Sequence, residues 1–224
     1  MIILRRTRLS TARKTGYCVI LTEEGKCAFK LRKTEKDTPK KILEAALHLV
    51  ARDGYANVSM RDIAREAGVS ISQISYYYNN KEGLVSALVK ELKETVINEF
   101  CAGLERVTDA GGFADYLCAY AKESVSHNAE LHRLRIELSN LAMNSGAFRA
   151  EIRAVDRELT EILASRLEAC EPPLAIASPS PRRAADFIIA VIFGVAAQYL
   201  VRGGEEKTLE ALDVLRETLR RRVE

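Results

Sequence analysis

The chain reads as all-α, and three observations carry that reading. From residue 38 onward, apolar side chains recur at three- and four-residue spacing in one segment after another, the period of a helix with one buried face. Two capping boxes, Ser59 with Asp62 and Ser70 with Gln73, mark the starts of two short helices separated by Gly68. Alternation of the strand type is legible only within the first 36 residues. About nine helices are expected.

Residues 1–36 form a basic extension. Ten basic side chains stand there against three acidic ones, a net +7 that leaves −4 for the remainder of a chain whose overall charge is +3. The stretch 15–33 alternates around Glu23-Glu24-Gly25, which fits a small hairpin; two strands alone are marginal in water, so a basic arm fits as well. A coding start later than Met1 is the third reading. As an arm, Arg5, Arg6, Arg8, Arg13 and Lys14 would track phosphates beside a DNA site.

Thr38-Pro39 opens the first firm helix, with Ile42, Ala45, Ala46, Leu49 and Val50 on one face and Gly54 at its end. Ser59 and Ser70 then cap two short helices. Ile63, Ala64, Ala67, Val69, Ile71 and Ile74 would hold them at a fixed angle and leave Ser72, Gln73, Ser75, Tyr76 and Tyr77 outward, as in a helix-turn-helix with a polar second helix. A long helix follows from Lys81, with Leu84, Leu88, Leu92, Val96, Phe100 and Leu104 down one face. Helices are expected over 113–128, 130–144 and 147–170, then a proline-rich loop over 171–181. The segment 182–201 is apolar over most of its circumference and 207–222 is amphipathic. A spare apolar face on such a helix points to self-association.

Composition excludes several functions. The five cysteines stand singly, with no CxxC pair and no histidine at metal-ligand spacing, and read as reduced thiols of a cytoplasmic protein. No metal or cofactor is expected. The longest apolar run, 187–201, is shorter than the ~20 residues that span a bilayer, and residues 2–4 are too few for a signal sequence, so no membrane role is expected. No Gly-rich phosphate loop, HExxH or GxSxG is present, and Cys118 with His127 is the sole nucleophile–base pairing to weigh against a non-enzymatic role.

Residues from about Pro39 to Leu92 resemble the DNA-binding domain of the TetR family of bacterial transcriptional regulators. The resemblance lies in Ile42-Leu43, Ala45-Ala46, Gly54-Tyr55, Val58-Ser59, Asp62-Ile63-Ala64, Ala67-Gly68-Val69-Ser70, Tyr78 and Lys81-Glu82-Gly83-Leu84. Two positions depart from the common pattern: Ser72 replaces a Gly or Ala, and Ser75 replaces a backbone-contacting Tyr. The run Ile74-Ser75-Tyr76-Tyr77-Tyr78 looks like the pattern of choline-responsive repressors of betaine synthesis, and it moves the expected phosphate contact from Ser75 to Tyr76 and Tyr77.

The resemblance implies three parts: the extension 1–36, a helix-turn-helix domain over 37–83, and a helical ligand-binding and dimerisation domain over 84–224. It implies a homodimer, joined through 182–201 and 207–222, on a near-palindromic double-stranded DNA operator that a small-molecule inducer releases. DNA contacts are expected from Ser59, Arg61, Ser70, Ser72, Gln73, Ser75, Tyr76, Tyr77 and Lys81. Gln73 would bond adenine and Lys81 would hold a phosphate at a helix start. Ligand contacts are expected among Phe100, Leu104, Tyr116, Tyr120, His127, His132, Arg135, Met143 and Phe148, with His127 and Arg135 the best polar candidates; core packing is the alternative for each apolar one.

Overall fold

The structure, a computed structural model, describes residues 17–21, 27–31, 38–105, 107, 109–170, 176 and 180–220. Strands β1 (Tyr17–Leu21) and β2 (Cys27–Leu31) pair antiparallel, with Val19 opposite Phe29. Arg5, Arg6, Arg8, Arg13 and Lys14 lie outside the described residues.

Helix α1 (Thr38–Asp53) buries Ile42, Leu43, Ala46, Leu49 and Val50. A single 3₁₀ turn, Tyr55–Asn57, leads to α2 (Met60–Ala67) and α3 (Ile71–Tyr78). Gly68 sits between them at φ 66°, the left-handed conformation that a side chain resists, and its N–H closes α2 on the carbonyls of Ala64 and Arg65. Helix α4 (Lys81–Leu104) starts one step further on, capped by Asn80. Its Gly83 is required by space: a Cβ there would stand 2.3 Å from the Tyr78 carbonyl oxygen, so the α3–α4 corner closes only over glycine.

Helices α5 (Ala110–His127) and α6 (Ala129–Asn144) are separated by Asn128 alone. Helix α7 (Gly146–Glu168) precedes α8 (Pro181–Val201), which Ser180 caps with Pro181 in the first turn. The final helix is shorter than its amphipathic pattern predicts. After the turn at Gly203-Gly204, residues Glu206–Glu210 are 3₁₀, burying Thr208 and Leu209, and α9 spans Ala211–Arg220. Residues 221 and 222 lie outside the described residues.

Two apolar cores meet along α4. The first joins α1, α2 and α3 to Leu84, Val85, Leu88 and Leu92 of α4, and to Leu134, Leu138 and Ala142 of α6. The second gathers Phe100 and Leu104 with α5, α7, α8 and α9. Helix α6 therefore packs on α1, the helix that supports α2 and α3, although the paired residues lie some eighty positions apart in the chain. Counted from Pro181, helix α8 is by length and composition alone apolar enough to cross a membrane, a test that a buried core helix passes as well. One side of it packs in the second core through Ala184, Ala185, Ile188, Val195, Ala196 and Tyr199. Another side, Phe187, Ala190, Gln198 and Val201, is exposed.

Candidate nucleic-acid interface and internal cavity

Ile63 and Ile74, both fully buried, pin α2 to α3, and both capping boxes are closed. The Ser59 N–H donates to Asp62 Oδ2 at 3.0 Å while the Ser59 hydroxyl accepts from the Asp62 N–H at 3.2 Å. Hydrogen bonds from Ser59 hold the Asp62 carboxyl below its usual range, with Arg65 adding to the effect. Arg65 donates to Asp62 Oδ1 at 2.6 Å, whereas Arg61 is exposed and in no ion pair among the described residues.

The outward face of α3 carries Ser72, Gln73, Ser75, Tyr76 and Tyr77, all exposed, with Tyr76 the most open at 82%. The two rings meet edge to face, 5.1 Å between centroids. Tyr78 turns inward and donates its hydroxyl to the Pro39 carbonyl at 2.9 Å. Gln73 closes the capping box that its spacing from Ser70 predicts: its Oε1 accepts the Ser70 N–H at 2.9 Å. Paired bonding to adenine needs both the amide oxygen and the amide N–H. With the cap closed, Gln73 offers its N–H donors and Ser72 its hydroxyl, which pairs with the Ser70 hydroxyl at 2.8 Å.

Lys81 is also more constrained than a free phosphate ligand. Its ammonium donates to the Tyr55 carbonyl and stands 4.0 Å from the centre of the Tyr55 ring; burial lowers its pKa. An ammonium has three donors, so this anchoring orients the remaining two.

Helix α6 fastens this head from behind. Glu130 Oε1 lies 2.9 Å from His48 Nδ1, and Glu137 Oε1 accepts the Tyr55 N–H at 2.8 Å. Phe148 of α7 meets the Tyr55 ring edge-on at 5.3 Å.

Behind α6 lies a cavity of about 220 Å³. Its walls come from five helices: Leu92, Lys93, Val96 and Phe100 of α4; Leu117, Tyr120 and Ser124 of α5; Leu131, His132, Arg135 and Leu138 of α6; Ile152, Val155, Asp156 and Leu159 of α7; Ile189, Ile192 and Phe193 of α8. Of the expected ligand residues, Phe100, Tyr120, His132 and Arg135 line it. Leu104 is buried in the second core, and Tyr116 stands behind Phe100, donating to its carbonyl at 3.0 Å. Phe148 belongs to the first core, and Met143 is exposed.

His127 is exposed at the end of α5, its ring against the Ser126 hydroxyl and the Glu123 carbonyl. Cys118 is nine residues back on that helix, about 13 Å along the axis, with its thiol pushed up to about 11 by burial. The two form no nucleophile–base pair. No cluster of metal-ligating side chains occurs among the described residues.

The polar wall is on α6. His132 Nε2 lies 3.1 Å from the Ser124 hydroxyl, and burial drives its pKa down to about 4, which keeps it neutral. Arg135 Nη2 donates to Asp156 Oδ1 at 2.5 Å, its guanidinium carbon lies 5.5 Å from the centre of the Phe193 ring, and its Nη1 is buried without an acceptor. The lining residues of α7, Asp156 among them, and of α8 were missed from sequence, because periodicity does not say which stripe of a helix faces a cavity. The signal available was the i, i+3 pairing of His132 with Arg135 on an otherwise apolar stripe.

Residues 42–88 match the sequence profile of bacterial regulatory proteins of the tetR family. A probable HTH-type transcriptional regulator, YttP of Bacillus subtilis (strain 168), is 42% identical over 57 residues, 25% of this chain and 28% of that protein. The HTH-type transcriptional regulator BetI of Agrobacterium fabrum is 35% identical over 69 residues, 31% of this chain and 34% of that one. These matches thus span about a third of the relatives' own length. Across the whole fold, a transcriptional regulator from Saccharomonospora viridis solved in complex with choline superposes at a TM-score of 0.69 and 20% identity, covering 80% of this chain and 95% of that one.

Proposed function

We propose, for a chain that belongs to the TetR family of bacterial regulatory proteins, that it is a ligand-gated repressor acting on double-stranded DNA in the cytoplasm. One observation carries the reading: α6 has its polar residues Glu130 and Glu137 on α1 and the Tyr55 turn, which support the helix-turn-helix, and His132 and Arg135 in the wall of a pocket between the helices. A molecule that changes the seat of α6 changes the seat of the head.

The DNA-reading part spans 37–83, with Ser72 and Gln73 toward base edges in the groove and Ser59, Arg61, Tyr76, Tyr77 and Lys81 toward phosphates. Residues 84–224 hold the ligand and join two copies. The exposed stripe of α8 from Phe187 to Val201, together with an exposed Val214 on α9, supports a homodimer through 182–201 and 207–222. Two recognition helices related by that two-fold would meet a near-palindromic operator whose half-sites lie about one helical turn apart. Ligand binding favours the spacing that fits the operator less well, and DNA affinity falls by the ligand's preference for that state.

Footprinting on the DNA upstream of its own gene tests the first half, and a protected pair of inverted half-sites is expected. Anisotropy titration of that site with candidate ligands tests the second; a dimer that binds DNA with no response to any of them would leave a regulator without a ligand.

A further inference from the structure

We infer that the cavity takes a small apolar monocarboxylate, whose carboxylate is received by the Arg135 guanidinium; this rests on the ligand-gated reading above. The walls are almost wholly hydrocarbon, so a ligand must be apolar over most of its length. Each polar group on the wall except one already has a partner. Lys93 is paired with Glu158 at 2.6 Å, the Tyr120 hydroxyl with the Val96 carbonyl at 3.3 Å, and Ser124 with His132 at 3.1 Å.

Arg135 spends one nitrogen on Asp156 and keeps Nη1 buried with no acceptor. A buried guanidinium N–H is satisfied by an acceptor, and a charged acceptor bonds to it about twice as strongly as a neutral one. The charges at the wall cancel in pairs, Lys93 with Glu158 and Arg135 with Asp156, and His132 is neutral, so the open Nη1 is what selects an acceptor. Size gives the scale of a probe: where a 150 Å³ apolar cavity holds benzene, about 220 Å³ matches roughly nine non-hydrogen atoms, close to octanoate.

Calorimetry and thermal shift of the full chain with octanoate, 1-octanol and octylamine test this. Octanoate is expected to bind at least about tenfold more tightly than either analogue. Arg135→Met should bring octanoate and octanol to equal affinity, while Arg135→Lys keeps a preference for the anion. Equal binding of octanol or octylamine to the wild-type protein, no binding of any of the three, or a preference that survives Arg135→Met would overturn the inference. The wild-type series decides even where Arg135→Met fails to fold. Octanoate binding as expected while leaving operator affinity unchanged would sink the gating proposal and leave the carboxylate site standing.

Discussion

Glu137 on α6 holds the backbone of Tyr55, its Oε1 accepting the Tyr55 N–H at 2.8 Å, and Tyr55 in turn presents its carbonyl and ring to Lys81. This contact places one carboxylate between the cavity wall and the start of α4. Glu137→Ala leaves a half-buried N–H without an acceptor and is expected to cost about 1–3 kcal/mol of stability, whereas Glu137→Gln keeps an acceptor and most of that stability. Urea unfolding of the two variants checks the difference.

The closed cap on α3 separates two roles of Gln73. Gln73→Glu preserves an oxygen for the Ser70 N–H and removes the amide donors, so its melting temperature should stay near wild type while DNA affinity falls. Gln73→Ala is expected to relax base preference by about 1–3 kcal/mol, and Ser70→Ala to destabilise by about 1 kcal/mol through loss of the cap. Melting curves and binding to a panel of substituted operators distinguish these effects.

Lys81→Ala should weaken binding to all DNA sequences alike and reduce the slope of log affinity against log salt by about 1. A salt titration of the variant beside wild type measures it; an unchanged slope would assign the ammonium to Tyr55 alone.

Two half-buried groups give opposed pH dependences. Burial, reinforced by the Glu123 carboxylate, pushes Glu99 up from 4.5 to about 7, so between those values the folded state binds the extra proton and stability falls as pH rises. Burial pushes His132 down from 6.5 to about 4, so there the unfolded state binds the extra proton and stability rises with pH. The two slopes oppose each other where the windows overlap. Glu99→Gln should expose the His132 slope, with the protein markedly less stable at pH 5 than at pH 7; denaturation at a series of pH values measures this.

The exposed stripe of α8 admits a clean test of self-association. Gly194 has open space around the position of a Cβ, so a side chain can start there without meeting the subunit, and Gly194→Arg puts a charge on this stripe. It is expected to shift sedimentation from dimer to monomer, as is Phe187→Glu, with little change in helix content by circular dichroism.

The sequence by itself determined the helix-turn-helix and its boundaries, because caps, glycines and turn residues act within a few positions of one another. Ser59 with Asp62, Ser70 with Gln73 and Gly68 are legible without a fold. It determined helical periodicity through 220, but not how far each helix runs where tertiary contacts compete, as at the 3₁₀ turn Glu206–Glu210 that buries Thr208 and Leu209. Only the tertiary structure decided that α6 grips the head and that His132 rather than His127 faces the cavity. Periodicity specifies which residues share a face of one helix; which neighbour that face meets depends on contacts far apart in the chain, and these alone separate a cavity wall from a packed core.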